Sequence, residues 1–224
     1  MLYHNSVTSE LLRTLNRIKI NNYFDNYILV GGTALALQIG HRMSDDIDLF
    51  TLKKQDNEYC LRFMRNNFEN IEVVNNSENI LQVKSNGIKV DFISAKGKLI
   101  EEPVMDDIVK VASIRDIIGM KLITIQDRKK ARDYIDIAYL LKYYPLKSMF
   151  NIYKWKYDTD NIYNVKVALT DTTKINPYEL STVKMLKNDI PLSGIFKVIN
   201  ESVKNYNIEE GIMKGKVKSQ LKKI

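Results

Sequence analysis

Asp46 and Asp48 stand two residues apart in "DDIDLF", and a third acid, Asp91, interrupts the apolar run "IKVDFIS". On a β-strand, side chains two apart leave the same face. Asp46 and Asp48 therefore point one way, while Asp45, Ile47 and Leu49 point the other. Adjacent like charges repel, so a surface strand gains nothing from them. A divalent cation reverses that balance, and magnesium takes hard oxygen ligands while keeping substrate phosphates in its shell. Asp91 is flanked by Val90, Phe92 and Ile93, and acids in such core-like runs are rare unless paired or metal-bound. Two readings stand side by side: Asp91 completes a carboxylate trio, or it caps a strand end or pairs with a lysine such as Lys89.

Upstream, Gly31-Gly32-Thr33 lies between the apolar "YILV" and the short segment "ALALQIG". Glycine lets the backbone come close to a ligand, and a helix N-terminus offers free N–H groups and a positive dipole to phosphate. The segment is neither the GxxxxGK[ST] loop nor GxGxxG. By themselves the glycines are equally compatible with a tight turn.

The elements that must position these groups follow from periodicity. "SVTSELLRTLNRIKI" carries apolar residues at Leu11, Leu12, Leu15 and Ile18 behind Ser or Thr caps, which predicts a helix. "YILV" predicts a buried strand, and "TALALQIG" a two-turn helix with Thr33 at its N-cap and Gly40 at its end. "DIDLFT" is the next strand and "NEYCLRFMRNNF" the next helix. "NILQVKS" and "IKVDFIS", joined by Asn86-Gly87, read as a hairpin with a primed turn.

Beyond Ser113 the pattern turns helical. "SIRDIIGMKLITIQ" and "ARDYIDIAYLLKYY" are joined by the charged "DRKK", and weaker helices are expected around 161–170, 178–186 and 194–206. The expected class is α+β: residues 1–110 form an N-terminal domain with a small mixed sheet, and residues 111–224 form a helical domain.

The helical half contains its own anomaly. Lys121 falls in the middle of the apolar stripe of Ile114, Ile117, Ile118 and Ile125. A lysine there must snorkel, find a carboxylate or face a ligand. On the next helix, Asp133 and Asp136 run along the same side as Ile137, Leu140, Leu141 and Tyr144. Asp133 is placed to cap that helix, whereas Asp136 lies too far in. The stretch "LLKYYPLKSMFNIYKWKY" mixes aromatics and lysines, compatible with base stacking or with core tyrosines whose hydroxyls stay wet.

Taken together, a strand, Gly-Gly-Thr, a short helix, Asp-x-Asp on a strand and a third Asp resemble the polymerase β type of nucleotidyltransferase. "GGTALALQIGHRMSDDIDLF", "KVDFI", "MKLITIQDRKKARDYIDIAYLL" and "ALTDTTKINP…MLK" are similar to the AbiEii/AbiGii toxin nucleotidyltransferases over about residues 27–187. That resemblance implies a nucleotide-binding set of Gly31, Gly32, Thr33, Arg42, Ser44, Lys121 and Asp133. It implies Mg2+ on Asp46, Asp48 and Asp91, in a two-cation arrangement suited to in-line displacement. Asp91 would ligate the second cation or act as base, Lys121 would meet nucleotide phosphate, and Asp136 would orient Lys121 or the acceptor.

The implied reaction is transfer of an NMP from an NTP to an acceptor, with tRNA favoured, in a toxin-antitoxin or phage-defence system beside a DNA-binding antitoxin. The rival readings are transfer onto a protein or a small molecule, and a nucleotide-binding module without catalysis. A net charge of +7 over 224 residues suits an anionic partner. Part of that excess is local, since "GIMKGKVKSQLKKI" holds five lysines and no acid. One cysteine permits no internal disulfide, and two histidines build no zinc cluster. No apolar run approaches the ~20 residues of a membrane span, and the N-terminus lacks signal-peptide character. A cytoplasmic monomer without membrane contact is expected.

Overall fold

The computed structural model describes residues 2–173 and 175–221, with side chains as far as residue 212 except at residue 177. In the basic tail, the side chains of Lys214, Lys216 and Lys218, and residues Lys222 and Lys223 altogether, lie outside the described residues. The chain divides into two units, Met1–Met120 with Val183–Lys187, and Lys121–Thr182 with Asn188–Ile224. The break falls inside a continuous helix, after residue 120.

The first unit begins with helix α1 (Ser9–Lys19), whose N-cap Thr8 accepts a hydrogen bond from the Leu11 amide. Strand β1 (Ile28–Val30) leads directly into α2 (Gly31–Ile39), and β2 (Asp46–Thr51) is followed by α3 (Asn57–Asn67). Then come β3 (Glu72–Ser77), β4 (Ile80–Ser85), β5 (Ile88–Ser94), β6 (Val104–Asp106) and β7 (Val109–Val111). They form one sheet in the order β3-β4-β5-β2-β1-β7-β6. The β2–β5 and β1–β7 pairs are parallel and the others antiparallel, so the sheet is mixed as expected.

The turn at Asn86-Gly87 has φ of 48° and 86°, the two positive values a type I′ hairpin needs. The opposite faces of the sheet are chemically distinct. Ile47 and Leu49 of β2 and Val90 and Phe92 of β5 are fully buried, and the Phe92 ring lies 5.4 Å from Phe24, which lies 4.9 Å from Phe63 of α3. Under this face Lys19 is almost fully buried and donates to the carbonyls of Phe24 (2.5 Å) and Tyr27 (2.9 Å). Burial, then repulsion from Lys110, pulls the Lys19 ammonium down to about 8.

Helix α4 (Ile114–Asp127) runs through the division between the units. The second unit continues with α5 (Ala131–Leu140), α6 (Leu146–Tyr157), α7 (Tyr163–Thr170), α8 (Pro177–Thr182) and α9 (Ile195–Leu221). Helix α5 is buried almost all round rather than along one stripe, as a central core helix is. Tyr134 donates from its hydroxyl to the Ala168 carbonyl at 2.9 Å, and the rings of Phe150 and Tyr206 meet edge-on at 4.8 Å.

The helix expected over 178–186 is corrected, because α8 ends at Thr182. The following segment belongs to the first unit, where Met43 N donates to Lys184 O (2.8 Å) and Leu186 N to His41 O (2.9 Å). Backbone partners distant in sequence replace the intrahelical ones there.

Candidate functional site

The β2–β5 register decides which acids meet. Asp46 is opposite Lys89, and Asp48 is opposite Asp91. Partners in parallel register share a face and sit ~4.8 Å apart across the strands. These four side chains therefore form a charged quartet on the face away from Phe92. Asp91 is 4% exposed. Its Oδ2 accepts from Lys89 Nζ at 2.5 Å and from Gln82 Nε2 at 2.7 Å, while its Oδ1 has no partner. Of the two readings, the pairing with Lys89 is present, and Asp91 also stands opposite Asp48 in the register.

Gly31 opens α2 with φ of 73°, and a Cβ placed on it would fall on Asp48 Oδ2. The helix N-cap is Val30, so Thr33 sits inside the first turn and is not the cap. A left-handed glycine lets the chain pass from β1 into α2 without a capping residue. Gly31→Ala should therefore lose about 1–3 kcal/mol from backbone strain alone, and it should also displace Asp48; a melting curve checks the first effect. A Cβ on Gly32 would lie 2.5 Å from Arg42 Nη2, so this glycine gives the guanidinium its seat.

Arg42 is buried and donates to the Met43 carbonyl at 2.9 Å. Thr33 and Ser44, both buried, bring their hydroxyls within 2.9 Å, and Thr33 also donates to the Asp46 carbonyl. These two hydroxyls hold the start of β2, and with it the direction of Asp46 and Asp48. Gly31, Gly32, Thr33, Arg42, Ser44, Asp46, Asp48 and Asp91 are thus neighbours within the first unit.

Lys121, Asp133 and Asp136 come together in the second unit. Lys121 does not snorkel: it is 5% exposed, with Nζ 2.8 Å from Asp133 Oδ1 and 2.5 Å from Asp136 Oδ2. Arg128 Nε adds a bond to Asp133 Oδ2 at 3.1 Å. Burial raises the Asp133 carboxyl, but Lys121 and Arg128 outweigh it and leave the group below its ordinary range. Asp133 makes no cap, because the N-cap is Lys130.

Gln82 and Arg128 are the partners that sequence reasoning missed. Gln82 had a signal: a two-residue turn at Asn86-Gly87 places Gln82 opposite Asp91. In the lysine-aromatic stretch, Tyr153 is buried while Tyr143 and Trp155 are half-exposed, so core and surface aromatics alternate there.

The acids suit a hard divalent cation in kind, as oxygen donors on one sheet face with a buried carboxylate oxygen left over. Among the described residues, no three acids are arranged to hold an ion as they stand, with Asp91 drawn onto Lys89 and Gln82. No helix among the described residues is long and apolar enough to cross a membrane.

A family model described as "Nucleotidyl transferase AbiEii toxin, Type IV TA system" matches residues 13–183. The uncharacterized protein aq_aa25 of Aquifex aeolicus strain VF5 is 29% identical over 138 residues, covering 59% of this chain and 67% of its own. JHP933 from Helicobacter pylori aligns with a TM-score of 0.56 at 18% identity, over 96% of this chain and 99% of that one. MenT4, a nucleotidyltransferase toxin from Mycobacterium tuberculosis H37Rv, aligns with a TM-score of 0.55 at 13% identity, over 80% of this chain and 74% of that one. At those identities the two solved structures are similar in fold.

Proposed function

Since this chain belongs to the AbiEii family of nucleotidyl transferase toxins, we propose that it transfers a nucleoside monophosphate from an NTP to an RNA acceptor, tRNA foremost, with magnesium. The observation that carries the reading is the in-register Asp48–Asp91 pair lying against a glycine with no room for a Cβ. Oxygen donors and backbone N–H groups then meet at one helix N-terminus, where a triphosphate and its cation are bound together.

In this reading Gly31 and Gly32 present their amides to the phosphates, and the buried Arg42 behind Gly32 adds positive charge. Thr33 and Ser44 act through β2, by fixing the carboxylates. Asp46, Asp48 and the free oxygen of Asp91 hold the cation. Bound magnesium supplies charge neutralisation and Lewis acidity for phosphoryl transfer. Asp91 is a poor general base while Lys89 and Gln82 occupy one of its oxygens, so its role is assigned to cation binding. Lys121 is assigned to nucleotide phosphate, with Asp136 orienting it or the acceptor, as the family resemblance implies, and Asp133 shares its ammonium. An antitoxin is the partner expected of a toxin of this type, and its DNA-binding character and the cytoplasmic setting are part of the same proposal.

The test incubates purified protein with each α-labelled NTP, Mg2+ and either total tRNA or total protein. Label is expected in the RNA, from one NTP above the others, and is lost with EDTA. Label in protein or in a small molecule, or transfer indifferent to EDTA, would overturn the corresponding part of the reading.

A further inference from the structure

The loop that carries Arg42 and Ser44, residues 40–45, joins α2 to β2 and is held by chain segments distant in sequence. Arg42 stands opposite Met185 in an isolated antiparallel bridge. Met43 N donates to Lys184 O at 2.8 Å, Leu186 N and Lys187 N donate to His41 O at 2.9 and 3.2 Å, and Ser44 N donates to Ser6 O at 2.9 Å. The same segments close the end of α2. Ile39 O would take the Met43 amide if the helix ran on, but that amide is on Lys184. Lys187 Nζ supplies the bond instead, at 2.6 Å, and a cation suits a helix C-terminus. The Lys187 ammonium also lies 5.1 Å from the centre of the Tyr3 ring. That ring is close enough to Gly40 that a Cβ there would strike it, and Tyr3 N donates to Leu37 O at 2.6 Å. All of these residues belong to the first unit.

Between Ile39 and His41 lies Gly40, left-handed at φ of 60°, the soft point between α2 and the loop. Lys187 spans it, with its side chain on the residue before and its backbone on the residue after. We infer that Lys187 is a positioning residue for nucleotide binding. By locking α2 to the loop across Gly40, it keeps Arg42 in its seat behind Gly32, where a Cβ would lie 2.5 Å from the guanidinium. Lys187 itself touches no phosphate in this arrangement. The inference rests on the proposed role of Arg42 beside the nucleotide phosphates.

The experiment measures the Kd of each α-labelled NTP with Mg2+ by equilibrium dialysis, without acceptor, at a temperature where melting curves show every variant folded. Lys187→Met keeps an unbranched side chain on Tyr3 and removes the ammonium. It should weaken the best-bound NTP about five- to ten-fold, part of the energy of one charged hydrogen bond. Lys187→Arg, which restores cation and donor, should return Kd to the wild-type value. Arg42→Lys should weaken binding too, and the double variant should bind no worse than Arg42→Lys alone, because residues that act through one another are not additive. Thr8→Ala removes the cap of α1 in the same unit and should leave Kd unchanged, as a control for lost stability. Lys187→Gln serves if the methionine variant is not folded. Unchanged Kd in Lys187→Met, full additivity with Arg42→Lys, no rescue by arginine, or an equal loss in Thr8→Ala overturns the inference and leaves the nucleotide reading standing. No NTP bound by wild type, or Kd unmoved by Arg42→Lys, overturns the nucleotide role of Arg42 and the inference with it.

Discussion

Asp48→Ala is expected to lower nucleotidyl transfer by about 10³-fold or more while the protein stays folded. A cation contributes several kcal/mol to a phosphoryl-transfer transition state, and each 1.36 kcal/mol is about tenfold in rate. Around Asp48, Asp91 is opposite on β5, Val30 is opposite on β1, and Gly31 lies against its carboxylate. Its loss removes a repulsive charge from the quartet, so in metal-free buffer the melting temperature should hold or rise. The two measurements pull apart. Near-wild-type transfer would sink the metal assignment, and a collapsed melting curve would make Asp48 a structural residue.

Lys121→Met carries the second large effect, on stability. Asp133 and Asp136 are both fully buried around the ammonium. Removing one partner of a buried ion pair costs about 3–5 kcal/mol, because the remaining charge has no compensation. Asp133 keeps Arg128, and Asp136 loses its 2.5 Å contact with the Lys121 ammonium. The pH dependence has a definite sign. In the wild type Asp133 sits below its ordinary range, so its contribution is fully present above ~4 and fades as pH falls through the lowered value. In the variant, burial without Lys121 favours the protonated acid, and acidification relieves the penalty. The difference in unfolding free energy should be greatest near neutral pH and narrow toward the carboxylate range. A lysine lying on the surface would show none of this.

The local pieces of the fold were legible because local rules set them. Asn86-Gly87 fixed a hairpin, Thr8 opened a helix, Gly40 closed one, and Asp46 and Asp48 had to share a face. The partners across the sheet were hidden. That β5 lies parallel to β2, with Asp48 and not Asp46 opposite Asp91, depends on a crossover through α3 and two further strands, and no local pattern encodes it. Residues 183–186 read as the end of a helix because their composition allows one, yet Lys184 and Leu186 take their backbone partners from Met43 and His41. Arg42 entered only through the family resemblance; its burial against Gly32 follows from chain packing that only the folded unit supplies. Lys121 was recognisable as an anomaly, and the aspartates of the next helix as its possible answers. That it takes both at once follows from their distances.

Cys60 is the chain's only thiol. It lies wholly inside the first unit, 3.7 Å from the Tyr27 hydroxyl, and burial pushes it up to about 11. A disulfide reagent can reach it only when that unit opens, so the rate of thiol labelling under native conditions is a clock for one unit alone. The Lys121 ion pairs lie in the other unit. Labelling a variant that weakens them, with no probe added to the protein, would separate a molecule that breathes in parts from one that opens all at once.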